Sequence, residues 1–454
     1  MRRYRRCRRF WWSWGMSEDV VSGWHSSNFG ALCFRIVNGG TPETGNPAYW
    51  NGETPWITGA DFTANGVGEF RRFVSEAGIR GSATSVVKQG NLLVVTRTGV
   101  GKLAIAPCDI AISQDISGVY INTDRAETSF VYYLLFRELD ELKKLNQGTS
   151  INGIIRSDLE KHIVRFPVSK YIQRKIAEIL RSMDAAIEKT EALIAKYQQV
   201  KAGLLHDLFN RGVLPNGQLR PPREQAPELY QETAIGWIPK EWELKDASMV
   251  LESVADGPFG SNLKTEHYVV DPGVRVVRLQ NIVKHEYNDG DKAYISDRHA
   301  VFLVRNKVVG GDVLIAGLGE DRYPVGRACT YPAYLPPAVN KADCFRARCI
   351  TGVMQNRFFM LFLNSELARR QIRRYEQGVT RPRINTGNLK RLVIGVPRIN
   401  EQVTIIKRFE AAQAYIHRLQ ASVESLKARK LGLMQDLLTG KVPVKVDAPE
   451  TADA

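Results

Sequence analysis

"QGTSINGIIRSDLEKHIVRFP", residues 147–167, recurs without a gap as "QGVTRPRINTGNLKRLVIGVP", residues 377–397. Gln-Gly opens both stretches, Ile154 matches Ile384, Leu159 matches Leu389, and a proline closes each. The period is about 230 residues, half of the chain, so one plan is written twice.

Each copy continues from its proline into a helical pattern. Ile176, Leu180, Met183, Ile187, Ile194, Tyr197, Leu204 and Leu208 align with Ile405, Phe409, Ala412, Ile416, Val423, Leu426, Leu433 and Leu437 once one single-residue gap is closed. Successive members stand three, four or seven apart, which is the spacing of a coiled-coil seam. Leu419 continues the second seam where the first has Thr190, a local weakening of the packing. Neither stretch contains proline, and each ends near a glycine, Gly212 or Gly440. One helix of roughly 35–40 residues, or 50–60 Å, is expected in each copy. A helix that long with a single apolar stripe needs a partner, and the chain supplies one equivalent helix. Lys201 and Lys430 hold matching places in the two seams. Two readings stand for them: register-fixing against an acidic partner, or snorkelling at a fraying end.

Outside the helices, Gly, Pro and β-branched residues dominate, pointing to two mixed α/β (α+β) domains rich in loops. Trp24 and Trp242 each open a copy and lead into alternating, strand-like sequence. A Pro- and charge-rich connector joins the first helix to the second copy. The expected divisions are an N-terminal extension at 1–15, globular domains at 16–168 and 238–398, long helices at 169–211 and 399–440, a linker at 212–237 and a tail at 441–454.

A formal charge of +15 calls for a polyanionic partner, nucleic acid before an acidic membrane surface. The six cysteines are scattered, with no Cys-x-x-Cys pair and no histidine at zinc-binding spacing, and read as reduced thiols in a cytoplasmic protein. The longest apolar runs fall far short of the roughly 20 residues that cross a bilayer. "MRRYRRCRRFWWSWG" lacks the apolar core of a secretion signal. It reads either as an Arg-rich arm for phosphates or, preferred here, as a disordered or non-native stretch ahead of a true start at Met16.

Two stretches imitate catalytic motifs. "TRTGVGKLAI" (residues 96–105) contains Gly-Lys, but Thr96 replaces the first glycine of a phosphate loop and Leu103 replaces its hydroxyl. The second copy keeps only strand, glycine turn, basic residue and strand around Val325-Gly326-Arg327, so the segment reads as a structural hairpin presenting a cation. "NPAYW" (residues 46–50) resembles the base-gripping tetrapeptide of amino-methyltransferases, yet Ala48 interrupts it and no glycine-rich cofactor loop precedes it. No catalytic or metal-ligating constellation is found.

With this organisation the chain resembles the specificity subunit of type I restriction-modification systems. The likeness rests on "GGTPETGNPAYWNGETPWITGADF", "TAIGWIPKEW", "DGPFGSNLK", "VVRLQNI" and the two helix-bearing repeats, in that family's order. The resemblance implies two target recognition domains, each reading one half of a bipartite asymmetric DNA sequence, with the long helices pairing as an antiparallel coiled coil. That pair would set the spacer and dock two modification subunits, which methylate adenine. Restriction subunits would join them. S-adenosylmethionine, ATP and Mg belong to those partners, and the specificity subunit itself binds no cofactor or metal and catalyses nothing. The family's Pro…Glu-Gln helix start is intact as Pro397…Glu401-Gln402, whereas the first copy reads Tyr171-Ile172-Gln173.

Such a role needs cations for phosphates and side chains that reach base edges. The candidates are Arg71, Arg72, Arg80, Arg97, Thr98 and Lys102 in the first copy. Lys264, Arg322, Tyr323, Arg327, Arg381, Arg383 and Asn385 are those of the second. Each also has an ordinary reading as a solvated surface residue. Alternatives at this point are a recognition subunit of a type II or modification-only methyltransferase, and a coiled-coil scaffold that merely tolerates DNA.

Overall fold

The computed structural model describes residues 22–63, 66–97, 100–145, 153–270, 273–320 and 323–445. Residues 1–15, Thr98, Gln147-Gly148 and Arg322, all singled out from the sequence, lie outside them. The chain divides into two units, residues 1–190 with 422–454, and residues 191–421.

In the first unit an antiparallel sheet runs in the order Cys33–Asn38, Ile116–Ile121, Leu92–Val95, Leu103–Ile105. Alternation on the pleat sends Leu92 and Val94 into one core with Phe130 and Leu134, and Leu93 and Val95 into another with Ile110 and Ile112. That explains why "LLVV" is apolar without interruption: both faces of the strand are covered. A second sheet has the order Phe73–Val74, Thr54–Ile57, Ile110–Ile112, Ser85–Val87, with the middle two strands parallel.

The second unit repeats both sheets. Leu251–Ala255, Cys344–Cys349, Val313–Ala316 and Ala328–Thr330 form the first, and Val313 and Ile315 face one core while Leu314 and Ala316 face another. Tyr294–Ile295, Val274–Val277, Ala338–Asn340 and Lys307–Val308 form the other, with the same parallel pair, and Tyr268–Val269 adds one edge strand. The end of each 21-residue repeat is the strand that closes its domain. Ile163–Pro167 pairs with Trp24–Asn28, and Val393–Val396 pairs with Glu243–Asp246.

Two long helices follow, Lys170–Asn210 (41 residues) and Ile399–Leu437 (39 residues). Their starts are built alike. Gln173 and Gln402 are fully buried. Gln173 donates to the Pro167 carbonyl at 2.8 Å and accepts from the Glu127 amide at 2.8 Å. Gln402 donates to the Pro397 carbonyl at 2.9 Å and accepts from the Gln355 amide at 2.8 Å. The glutamate that the first copy lacks is no requirement for starting its helix. In the second helix Glu401 has another task, holding the buried Arg220 of the connector and the Val213 amide. Gly212 and Gly440 terminate the helices at φ +61° and +74°, and a Cβ there would collide with Trp242 and Trp24 respectively.

Within each unit the helix segments run antiparallel. In the first, Ile176, Ala177 and Leu180 share a core with Met434, Leu437 and Leu438, and Lys430 Nζ meets Asp184 at 2.5 Å. In the second, Leu205, Leu208 and Phe209 pack with Ile405, Ile406 and Phe409, Tyr197 lies on Tyr415, and Lys201 donates to Gln413 at 2.7 Å. Ile176, Leu180, Ile187, Leu208, Ile405, Phe409, Ile416, Val423 and Leu437 are buried. Met183, Ile194, Tyr197, Leu204, Ala412, Leu419, Leu426 and Leu433 are half-buried. Thr190 satisfies its hydroxyl on the Ala186 carbonyl.

Candidate nucleic-acid interface

The glycine-lysine segment is a turn between the paired strands Leu92–Val95 and Leu103–Ile105, with Gly101 at φ +95°, and Gly326 takes the matching place at φ +76°. The basic residue after each glycine turns inward. Lys102 Nζ donates to the carbonyls of Gly59 at 3.0 Å and Phe62 at 3.2 Å. Arg327, 6% exposed, donates from Nη2 to Leu279 at 3.1 Å and from Nε to Ile282 at 2.7 Å. Its Nη1 reaches the carbonyls of Leu318, Tyr323 and Pro324. Burial pulls the Arg327 pKa below its usual value. Neither hairpin therefore presents this cation outward, a correction to the sequence reading. Both cations are spent on main-chain oxygens, of which Leu279, Tyr323 and Pro324 also accept from a backbone amide.

What they hold is the same object twice, a one-turn 3-10 helix, Gly59–Asp61 or Leu279–Asn281. Asp61 accepts from the Thr58 amide at 2.8 Å, and Asn281 accepts from the Arg278 amide at 2.8 Å. Asn281 also donates to the Asn288 and Asp291 carbonyls. Asp61 is steadied further by Arg71, whose guanidinium grips its Oδ1 through Nε and Nη2. Burial raises the Asp61 pKa, but the Thr58 amide and Arg71 outweigh it and hold the carboxyl below its usual value.

Other candidates are also engaged within the fold. Arg72 lies over Trp56 at 4.4 Å, and Arg80 pairs with Glu76 one turn back on an exposed helix. Asn385 caps the helix Thr386–Lys390 by accepting from the Asn388 amide at 2.8 Å, so its side chain is committed to structure. Arg383 bonds Asp343 at 2.7 Å, and its backbone pairs with Gln377 on both sides of the Gly378 turn. Lys264 stands 3.6 Å from Glu266, exposed. Asn46, in the methyltransferase-like stretch, accepts from the Ala48 amide as a turn cap.

Arg97 and Arg381 are exposed and have no ion pair among the described residues. Arg381 and the exposed Tyr323 line a groove of 630 Å³ with Gln280, Asn288, Glu320 and Arg327. The sequence reading missed Gln280, Asp61 and Asn281. The signal was available, since "TGADF" and "RLQNI" hold matching places in the two copies.

Among the described residues no group of histidine, cysteine, aspartate or glutamate could hold a metal ion, and no helix is long and apolar enough to cross a membrane.

The model of the type I restriction modification DNA specificity domain matches the chain twice, over residues 22–197 and 239–425. The chain belongs to that family. Its two sheet-bearing domains are thus two DNA specificity domains, each followed by a long helix. Similar proteins include the MjaIX specificity subunit of Methanocaldococcus jannaschii, 25% identical over 55% of this chain and 56% of that protein. The MjaVIII specificity subunit of the same organism is 23% identical over 70% of each chain. The chain thus spans little more than half of the first relative and about two thirds of the second. Among solved structures, an S subunit from M. genitalium is matched over 91% of this chain and 96% of its own, with 14% identity and TM-score 0.52. A chain from a study of complex assembly in a type I R-M system is matched over 93% and 99%, with 14% identity and TM-score 0.59. At such identity these two establish the fold.

Proposed function

We propose that the chain is the DNA specificity subunit of a type I restriction-modification complex. Each domain reads one half of a bipartite, asymmetric target, and the antiparallel helices set the spacer and dock two modification subunits. Restriction subunits complete the assembly. The chain does no chemistry itself; S-adenosylmethionine, ATP and Mg act on its partners. The observation that carries this reading is the presence of two specificity domains in one polypeptide, each with its own long helix. Duplicate readers on one chain suit a target with two separated halves. The surplus of basic residues supplies the sequence-independent grip on phosphates, and base contacts then select the site.

Mapping adenine methylation across the genome with and without the gene tests it. A bipartite methylated motif that vanishes with the gene is expected. An unchanged methylome, or methylation or cleavage by the purified chain alone, would overturn it. Removing matched turns from both long helices should shorten the unspecified spacer, and an unaltered target would end the spacer role.

A further inference from the structure

The 3-10 turn at 279–281 seats Leu279 and the adjoining Ile282 on one core and leaves its apex exposed. Arg327 grips the carbonyls on either side of its apex, and the fully buried Asn281 pins its amide end. The apex residue between them, Gln280, is exposed, and its side-chain amide makes no hydrogen bond among the described residues. A free carboxamide on an immobilised backbone is the arrangement that recognition by hydrogen bonding requires, because ordering costs are met before the partner arrives.

We infer that Gln280 is a base-reading residue of the second domain, its carboxamide directed to an adenine edge in the major groove of DNA. This rests on the proposed role of the chain as a DNA specificity subunit. Glutamine matches adenine with one donor and one acceptor, against N7 and the N6 amine. The surrounding groove suits base edges better than a phosphate. The Glu320 carboxylate lines it and repels a phosphate, while it accepts from a cytosine amine. Arg381, exposed on the loop whose backbone bonds Gly319 through Pro382, supplies the neighbouring cation.

The first domain carries an internal comparison. Its turn is clamped in the same way by Lys102 and Asp61, and its apex is Ala60, also exposed. A methyl group there offers no hydrogen bond but fits against a thymine methyl. Two equivalent mounts thus carry different tips, as two different half-sites require.

The test is selection from a duplex library with a randomised window, using the full chain alone and in the complex purified with it from its host. The wild type is expected to select a bipartite motif. Gln280→Ala should lower the preference for adenine at one position of one half by about ten-fold or more, leaving the other half unchanged. Ala60→Gln should change one position in the opposite half. Both sites are exposed, so melting temperatures should match the wild type. An unaltered motif with Gln280→Ala, a uniform loss of affinity without change at any base, or both variants changing the same half would overturn the inference and leave the specificity role standing. Failure of the wild type to select any bipartite motif would overturn the specificity role itself.

Discussion

The two specificity domains solve the same internal problems with different side chains. A cation clamps the 3-10 turn in each, but Lys102 reaches two carbonyls where Arg327 reaches five. A lysine in the long helices anchors each unit, but Lys430 finds the carboxylate of Asp184 where Lys201 finds the amide of Gln413. Gln173 and Gln402 are identical in residue and share two bonds, though Gln402 also donates to the Val353 carbonyl at 2.9 Å where Gln173 stands 3.5 Å from that of Arg125. The framework is preserved at the level of bonds to main chain, and chemistry drifts wherever a different donor meets the same oxygen.

The most damaging substitution should be Arg327→Ala, which leaves five carbonyls without this donor. Leu279, Tyr323 and Pro324 keep a backbone amide, so at roughly 1–3 kcal/mol for each buried group left unsatisfied a loss of about 4 kcal/mol is expected. Lys102→Ala should cost about 2 kcal/mol, and Arg327→Lys should fall between wild type and Arg327→Ala. Calorimetric unfolding of the three variants measures this, and equal costs would erase the distinction between the clamps. Gln173→Ala and Gln402→Ala should each cost about 3 kcal/mol, since each orphans a buried amide and a buried carbonyl. A marked inequality in urea unfolding would show that the two helix starts differ beyond their bonds.

The helix lysines separate more finely. Lys430→Met should cost about 1 kcal/mol, because it removes the cation from Asp184, which is partly exposed and keeps the Tyr133 hydroxyl. Lys201→Met should lie within about 0.5 kcal/mol of wild type. Burial already disfavours that ammonium, and Glu286 also bonds its partner Gln413. A thermal shift for Lys201→Met as large as that for Lys430→Met would remove the contrast.

The smallest effect concerns acidity. Burial, with Asp343 nearby, pushes the Asp256 carboxyl up from its ordinary value of 3.8 to about 6, while the Gly257 and Asp343 amides oppose the rise. A carboxyl that holds its proton more tightly when folded loses stability as pH climbs from about 4 to 6. The corresponding strand end of the first domain carries Asn38, an amide with no such dependence. Asp256→Asn should therefore flatten the melting temperature between pH 4 and 6 and raise it by about 2 °C at pH 7–8. An unchanged pH profile would place the linked proton elsewhere.

Much of this architecture was legible before any coordinates. A repeat and a seven-residue seam are properties of spacing, and spacing survives in a one-dimensional string. The glycine-lysine hairpin was legible for the same reason, through its second copy. The direction of a cation was not. Lys102, Arg327 and Asn385 all looked available for DNA, because whether a side chain points in or out depends on oxygens supplied by residues far away in sequence, such as Gly59 for Lys102. Sheet order was equally hidden. Strands such as Thr54–Ile57 and Ile110–Ile112 pair in parallel across an intervening stretch that no local pattern describes.

The clamps on the two 3-10 turns bind peptide oxygens, and a peptide oxygen is common to all amino acids. Exchange of the residue at the tip leaves its own mounting intact. Mutational drift can therefore try one tip after another in a lineage, while the proofreading burden of correct folding stays confined to a few interior donors.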